Sequence, residues 1–319
     1  MDNLWKEEAI QDDMLRMMFA CCHPEIETEN QITLILKTLC GFSTAEIAKT
    51  FLTSEDTISK RLYRTKEFFR QKKINLKIPS EEALKSRNEA VLNSIYLLFN
   101  EGYNSTSSDE LIRKDLIEEA MLLCKLLAEN KKTQQPETFA LMALMCFHSS
   151  RSAGRQTPEG EIILLDYQDR SKWSNELIVA GNDYLNKAAF GDSISSYHIE
   201  AAIAFEHCTA TTFETTNWAR ILELYDWLCR LSPSYITEMN RAVVILKLQG
   251  ATEALIALQN IAGKKELESY YLYHSLLGEV YSKQLETKKA ITHFEKAMHL
   301  TKSEREKSLL AEKINVLSS

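Results

Sequence analysis

The chain has 319 residues, a formal net charge of -7 and 45% hydrophobic residues, as expected of a soluble globular protein with several domains. The chain has only 9 glycines and 5 prolines, and these low counts disfavour β-rich and disordered classes of protein. No apolar run reaches the ~20 residues that a membrane span needs. The acidic N-terminus is unlike that of a signal peptide. Seven cysteines without a CxxC pair predict reduced thiols in the cytoplasm. We therefore predict an all-α, cytoplasmic protein with no membrane partner.

Charge is unevenly distributed along this acidic chain. Residues 1–30 carry eight acidic and two basic side chains, whereas residues 60–77 carry eight basic ones against Glu67 alone. A local basic stretch is the footprint of a nucleic-acid contact, although a solvated helix face gives the same pattern.

The residues before the basic stretch predict short helices with defined ends. Apolar residues at helical spacing indicate a helix over 31–39, which Gly41 ends. Ser43 and Glu46 have the spacing of a capping box at the start of the next helix. Pro24 ends an earlier helix at Cys21-Cys22-His23, and these three side chains lack the second ligand pair that a zinc site needs.

Ser54 is the predicted N-cap of the helix that carries the basic residues. Its apolar residues fall on one face and its polar and basic residues on the other. The apolar face consists of Ile58, Leu62, Thr65 and Phe69. Two short helices joined by a tight turn, the second with a polar-basic outer face, predict a helix-turn-helix.

In such a motif the second helix enters the major groove, and flanking basic residues hold phosphates. Lys60 and Arg64, one turn apart, are the best candidates for contacting guanine, and Ser54 and Thr57 for contacting phosphate. Arg61 is at the edge of the apolar face, where it is as suited to bracing the motif as to touching DNA. The predicted DNA-binding residues are Ser54, Thr57, Ser59, Lys60, Arg61, Tyr63, Arg64 and Lys66.

This region resembles region 4 of the sigma-70 family of transcription initiation factors, in the segment GFSTAEIAKTFLTSEDTISKRLYRTKEFFR. Within that family the chain is similar to the extracytoplasmic-function subgroup that has a long tetratricopeptide-like C-terminal extension. The similarity covers nearly the whole chain through the blocks DDMLRMMFACCHPEI, SIYLLFNEGY, LLDYQDRSKW and NWARILELYDWLCRLSPSYITEMNRAVV.

The resemblance implies a factor that acts with core RNA polymerase, reads the -35 promoter element through region 4 and docks on the flap of the β subunit. It also implies that the extension modulates activity. The sequence given has no counterpart of region 2, which melts the -10 element, either through truncation or in the natural product. We therefore expect this polypeptide not to initiate transcription by itself. Ser59 stands where many of these factors have a basic residue. The promoter sequence that those factors read is therefore not transferable to this chain.

Lys77-Ile78-Pro79-Ser80 marks a predicted domain boundary, after which helices are predicted over 84–99, 109–129, 137–149 and 173–188. Gly102, within Glu101-Gly102-Tyr103, suits a helix C-terminus beside a small pocket or buried network. The stretch between the last two helices contains a turn signal, a short extended segment at 162–165 and a mixed-sign polar set: Arg151, Arg155, Asp166, Gln168, Asp169 and Arg170. Because no nucleophile is paired with a base, structural ion pairs or an interface are favoured over a catalytic site.

The last third has a repeat of tetratricopeptide type. In the best-matched unit, small residues let two antiparallel helices approach and aromatic residues fill the space between them. The matching residues are Leu277, Gly278, Tyr281, Ala290, Phe294 and Ala297, preceded by a similar unit at Ala242, Gly250, Ala254 and Leu258. Such stacks commonly bind peptides or proteins, although a domain that only positions region 4 is the alternative.

Three domains are predicted: a helix-turn-helix domain over 1–78, a helical middle domain over 79–190 and a repeat domain over 191–319. The predicted function is that of a sigma factor whose partners are promoter DNA, core RNA polymerase and a protein or peptide on the repeat domain. The alternative is a tetratricopeptide adaptor with a helix-turn-helix that does not read DNA. No enzyme activity, cofactor or metal is predicted.

Overall fold

The structure is a computed structural model. It describes residues 2–51, 53–73, 79–104, 112–191, 193–261 and 267–318. Throughout these ranges the regular elements are helices, with one isolated bridge between Gln156 and Ile162, so the predicted all-α class is confirmed. No helix in the described ranges combines the length and apolar character that crossing a membrane requires.

The chain divides into two compact units that interleave along the sequence. Unit 1 comprises Met1–Met145 with Asn186–Gly191, and unit 2 comprises Cys146–Leu185 with Asp192–Ser319. The division into three domains that the sequence suggests stays a prediction.

Unit 1 is built from the first seven helices. These are α1 (Asp2–Cys21), α2 (Thr28–Thr38), α3 (Thr44–Thr50), α4 (Glu55–Lys72), α5 (Glu81–Tyr103), α6 (Lys114–Glu129) and α7 (Pro136–Ser150), the last of which ends in unit 2. The helices predicted over 31–39, 84–99 and 137–149 are thus present. The helix predicted from residue 109 begins only at Lys114, and 105–111 lie outside the described residues.

The buried side chain of Gln31 connects α2 to the end of α1 and to α5. Its Nε2 donates to the carbonyls of Ile26 at 2.7 Å and His23 at 3.1 Å, and its Oε1 accepts from Ser94 Oγ at 3.0 Å. Gln31 is only 5% exposed, so these bonds are shielded from competing water.

Helices α5 and α6 meet at Gly102. A Cβ atom there would lie 2.9 Å from Ile117 N and from Leu116 Cβ. The backbone N–H of Arg113 donates to the Gly102 carbonyl at 2.7 Å. Glycine at this position is therefore explained by the close approach of two helices.

Replacing Gln31 with Met is expected to destabilise α2. Methionine has a similar volume, so the loss of hydrogen bonds to buried partners dominates, at about 1–3 kcal/mol. Amide hydrogen exchange of α2 in the full chain should accelerate accordingly. Gln71→Met, at an exposed position of α4, is the matched control and should exchange like the parent. Equal exchange in both variants would contradict the role of Gln31.

Unit 2 consists of the remaining helices and three 3₁₀ turns. The helices are α8 (Asn175–Ala188), whose end belongs to unit 1, α9 (Ser196–Thr209), α10 (Trp218–Leu231), α11 (Tyr235–Leu248), α12 (Ala251–Gln259), α13 (Tyr271–Lys283), α14 (Thr287–Leu300) and α15 (Glu304–Ser318). The turns span Ser152–Gly154, Leu165–Tyr167 and Arg170–Lys172. The predicted helix over 173–188 begins at Asn175, and Leu164 of the predicted extended segment is extended.

Helices α13 and α14 of unit 2 pack directly against each other. A Cβ atom at Gly278 would lie 2.5 Å from Cε1 of Phe294, so the ring occupies the space that glycine leaves open. Ala290 and Ala297 are fully buried on the same face of α14. Gly278 of α13 is therefore in direct contact with Phe294 of α14.

Gly278→Ala is expected to lower the stability of unit 2 by about 1–3 kcal/mol, because the added methyl group overpacks the contact with Phe294. The midpoint of thermal unfolding of the full chain measures the effect. Ser282→Ala, on a half-exposed position of α13, serves as the control. Adding Phe294→Leu should recover part of the loss, and strictly additive effects in this double-mutant cycle would refute the overpacking account.

Candidate functional site

Side-chain caps fix the start of α3 and of α4. The Ser43 N–H donates to Glu46 Oε2 at 2.7 Å and the Glu46 N–H donates to Ser43 Oγ at 3.1 Å, which is the predicted capping box. Ser54 adopts the predicted N-cap position, and its Oγ accepts from the Thr57 N–H at 3.2 Å. The bond with Ser43 lowers the pKa of the Glu46 carboxyl. Both helix starts are therefore set by local sequence.

One face of α4 is buried and the opposite face is exposed. Ile58, Leu62 and Thr65 are buried, and α4 packs against α2 and α3. Tyr63, at the centre of the outer face, is 66% exposed. The predicted DNA-binding residues that are exposed are Ser54, Ser59, Lys60, Tyr63, Arg64 and Lys66, while Thr57 and Arg61 are half-buried. Three residues of the predicted apolar face are thus buried, whereas the fourth, Phe69, is half-buried.

The cations of α4 differ in how far they are already paired. Lys60 Nζ lies 2.6 Å from Asp56 Oδ2, one turn earlier. Arg61 Nη2 lies 2.7 Å from Glu29 Oε2 of α2, and its guanidinium carbon lies 5.7 Å from the ring centre of Phe51. Arg61 thus braces the packing of α4, one of the two roles considered for it.

Arg64 and Lys66 form no ion pair with any residue in the described ranges. Further along α4, Arg70 pairs with Glu67, and Lys72 Nζ lies 2.7 Å from Glu25 Oε2. The outer face therefore presents two unneutralised cations beside an exposed tyrosine. Ser54 Oγ and Thr57 Oγ1 are 2.9 Å apart, so both hydroxyls already take part in capping.

Cys21 and Cys22 end α1 in the core of unit 1. Both are buried, and Cys21 Sγ lies 3.4 Å from Thr38 Oγ1. Burial raises the pKa of Cys21 to about 11 and that of Cys22 to about 12, so both stay protonated thiols at neutral pH. Within the part of the chain that is described, no three His, Cys, Asp or Glu side chains are grouped to hold a metal ion.

A second concentration of polar groups lies in unit 2 around Trp173. The guanidinium carbons of Arg170 and Arg151 lie 4.5 Å and 5.5 Å from the centre of this ring. Arg170 Nη1 also donates to the carbonyls of His207 and Ala210, at 2.6 Å and 2.7 Å, at the C-terminus of α9. We call this group the arginine–tryptophan cluster, defined by Arg151, Ser152, Gln168, Arg170, Trp173 and His207.

The aspartates of the mixed-sign set take partners outside the cluster. Asp166 Oδ2 lies 3.9 Å from Lys247 Nζ, and Asp169 Oδ1 accepts from the N–H and hydroxyl of Ser171. The sequence therefore identified Arg151, Gln168 and Arg170 of the cluster but missed Ser152, Trp173 and His207. The signal that would have found Trp173 is its place in DRSKW, beside two cations.

The comparisons with known proteins concern most of the chain. Residues 87–189 match the model of a family of unknown function, DUF6596. The uncharacterized protein R00370 of Rhizobium meliloti (strain 1021) is 34% identical over 309 residues, which cover 97% of this chain and 72% of that protein. The chain belongs to the same family as this relative. No solved structure matches significantly.

Unit 2 is expected to lose stability as the pH falls below about 6.5. Burial, and then the nearby arginines, lowers the pKa of His148 and His207 from 6.5 to about 3. Between these values the unfolded chain binds protons that the folded chain does not, so the free energy of unfolding decreases with falling pH. The midpoint of thermal unfolding should be lower at pH 5 than at pH 7.

Substituting His207 by Gln should reduce this pH dependence. His299→Gln, at an exposed position of α14, is the matched control and should retain it. If His207→Gln and the parent lose stability equally between pH 7 and pH 5, the burial of His207 does not contribute.

Proposed function

We propose that this member of the R00370 family is a transcription initiation factor of the extracytoplasmic-function type, acting in the cytoplasm with core RNA polymerase. In this proposal α3 and α4 are a helix-turn-helix corresponding to sigma region 4, and α4 reads the -35 promoter element. The observation that carries the proposal is the outer face of α4, where Arg64 and Lys66 are unpaired cations on a helix fixed by its buried face.

Two features of α4 support reading of base edges. Arg64 is exposed one turn after Lys60, and arginine binds guanine O6 and N7 through two parallel hydrogen bonds. Ser54 caps the N-terminus of α4, and Glu55 and Asp56 are the first two residues of this helix. Since Asp56 holds Lys60, Arg64 is the stronger candidate for the specific contact, and Lys66 for a phosphate.

The partner of region 4 in this proposal is the flap of the polymerase β subunit, which would contact the outer surfaces of α2 and α3. The helix pairs of unit 2 would be a tetratricopeptide-like extension. The spacing of Gly278 and Phe294, and the core shared by α11, α12 and α13, support that assignment. Its role would be to modulate the factor or to bind a protein or peptide.

Selection from a random pool of duplex DNA, using the full chain with and without core RNA polymerase, tests the proposal. An enriched sequence is expected in at least the polymerase arm. Retention of the chain by the polymerase but not by polymerase lacking the β flap would support the docking contact. If neither arm enriches a sequence and the chain does not bind polymerase, the adaptor alternative replaces the proposal.

Arg64→Ala is expected to weaken binding to the enriched duplex by about 1–3 kcal/mol and to relax the preference at one base pair. Lys66→Ala should weaken all duplexes similarly and lower the salt dependence by about one unit of slope. Fluorescence anisotropy at two salt concentrations measures both. Arg230→Ala, an exposed arginine of α10, is the matched control for charge. Equal affinities of parent and Arg64→Ala at both salt concentrations would refute the reading role.

A further inference from the structure

The arginine–tryptophan cluster contains buried polar atoms that have no hydrogen-bond partner among the described residues. They are Arg151 Nε, Ser152 Oγ, Gln168 Oε1, Arg170 Nη2, Trp173 Nε1 and His207 Nδ1. Each such atom costs about 1–3 kcal/mol when it is left unsatisfied. Because native proteins pair almost all buried polar groups, a concentration of them in one place requires partners, either ordered water or a bound group.

The cluster also carries positive charge with no directly paired carboxylate; Glu214 acts on Arg170 electrostatically, but from beyond ion-pair distance. No carboxylate oxygen of the described residues is within ion-pair distance of Arg151 or Arg170. The carbonyls that Arg170 contacts at the end of α9 supply only partial negative charge. Arginine stays protonated in proteins, so two guanidinium charges remain beside one indole ring.

Three of the unpaired atoms are N–H donors of residues that meet at the Trp173 ring: Arg151 Nε, Arg170 Nη2 and Trp173 Nε1. The Ser152 hydroxyl adds a fourth donor. The Gln168 amide oxygen can only accept, and its Nε2 already donates to the Ile163 carbonyl at 3.1 Å. This set suits an anion that accepts several hydrogen bonds and also offers one proton.

Gly154 keeps the surroundings of the indole nitrogen clear of a side chain. A Cβ atom at this position would lie 3.0 Å from Trp173 Nε1. Gly154 is not among the positive-φ glycines, so its backbone conformation does not demand glycine. Trp173 is 7% exposed, whereas Arg151, Ser152 and Arg170 are half-exposed, so the cluster reaches the surface while its ring is buried.

We propose that the arginine–tryptophan cluster is a binding site for a phosphoryl group, carried by inorganic phosphate or by a small phosphate monoester. The two guanidinium groups match a charge of about -1.5 to -2 at pH 7. The N–H groups and the Ser152 hydroxyl donate to its oxygens. The remaining hydroxyl of inorganic phosphate, or that of a singly protonated monoester, donates to Gln168 Oε1. This site lies in unit 2, and the inference does not depend on the proposed role of α4.

Titration of the full chain in phosphate-free buffer tests the proposal. Inorganic phosphate and glycerol 3-phosphate form the two source arms, and acetate and chloride at equal ionic strength are the controls. We expect a saturable rise in the midpoint of thermal unfolding with phosphate. In a ¹⁵N spectrum, the indole N–H signal that Trp173→Phe removes should shift over the same concentration range.

The arms assign the source. Tighter binding of glycerol 3-phosphate than of inorganic phosphate identifies a phosphate monoester, and the reverse order identifies the free anion. Acetate that acts as strongly as phosphate overturns the phosphoryl assignment. If phosphate has no saturable effect beyond that of chloride, the unpaired atoms are met by ordered water alone and the proposal fails.

Variants link the effect to the cluster. Arg151→Gln and Trp173→Phe should each weaken phosphate binding by about tenfold or more, since each removes one donor to a charged ligand. Lys172→Gln makes the same charge change at an exposed position of the neighbouring 3₁₀ turn and should bind like the parent. Should Arg151→Gln fail to fold, Ser152→Ala takes its place. Unchanged binding in these cluster variants would overturn the proposal.

Discussion

Contact between helices at a glycine is the constraint on which packing in both units depends. A side chain at Gly102 would collide with the backbone of α6, and one at Gly278 with the ring of Phe294. Gly181 of α8 repeats the arrangement, because a Cβ atom there would lie 2.7 Å from Phe147 of α7. Interiors of proteins are close-packed, so these positions fix how near each helix comes to its neighbour. Of the glycines in the described residues, Gly102, Gly181 and Gly278 are used in this way.

The candidate sites in the two units differ in how many of their cations are paired with carboxylates. On α4 most cations are matched locally by acids, such as Asp56 for Lys60 and Glu29 for Arg61, and only a short stretch of the outer face stays positive. Near the arginine–tryptophan cluster, Asp166 and Asp169 are engaged elsewhere, and Glu214 acts on Arg170 only from beyond ion-pair distance. Exposed pairs contribute little to stability, but they limit where a negatively charged partner can be held.

Features set by neighbouring residues could be predicted from the sequence. The capping box of Ser43 and Glu46, the N-cap at Ser54 and the buried face of α4 depend only on residues a few positions apart. The spacing of small and aromatic residues predicted two paired helices at α13 and α14, but it did not specify that Phe294 would lie against Gly278.

Features that combine distant segments could not be predicted. Trp173 and His207 meet Arg151 because a loop folds back onto the end of α9, and no periodicity encodes that. The spacing on α4 left two roles open for Arg61, because its ion pair with Glu29 depends on α2.

The interleaving of the units has a consequence for the order in which their residues are synthesised. Asn186–Gly191 belongs to unit 1 but follows Cys146–Leu185 of unit 2, so the ribosome must emit the first part of unit 2 before unit 1 has all its residues.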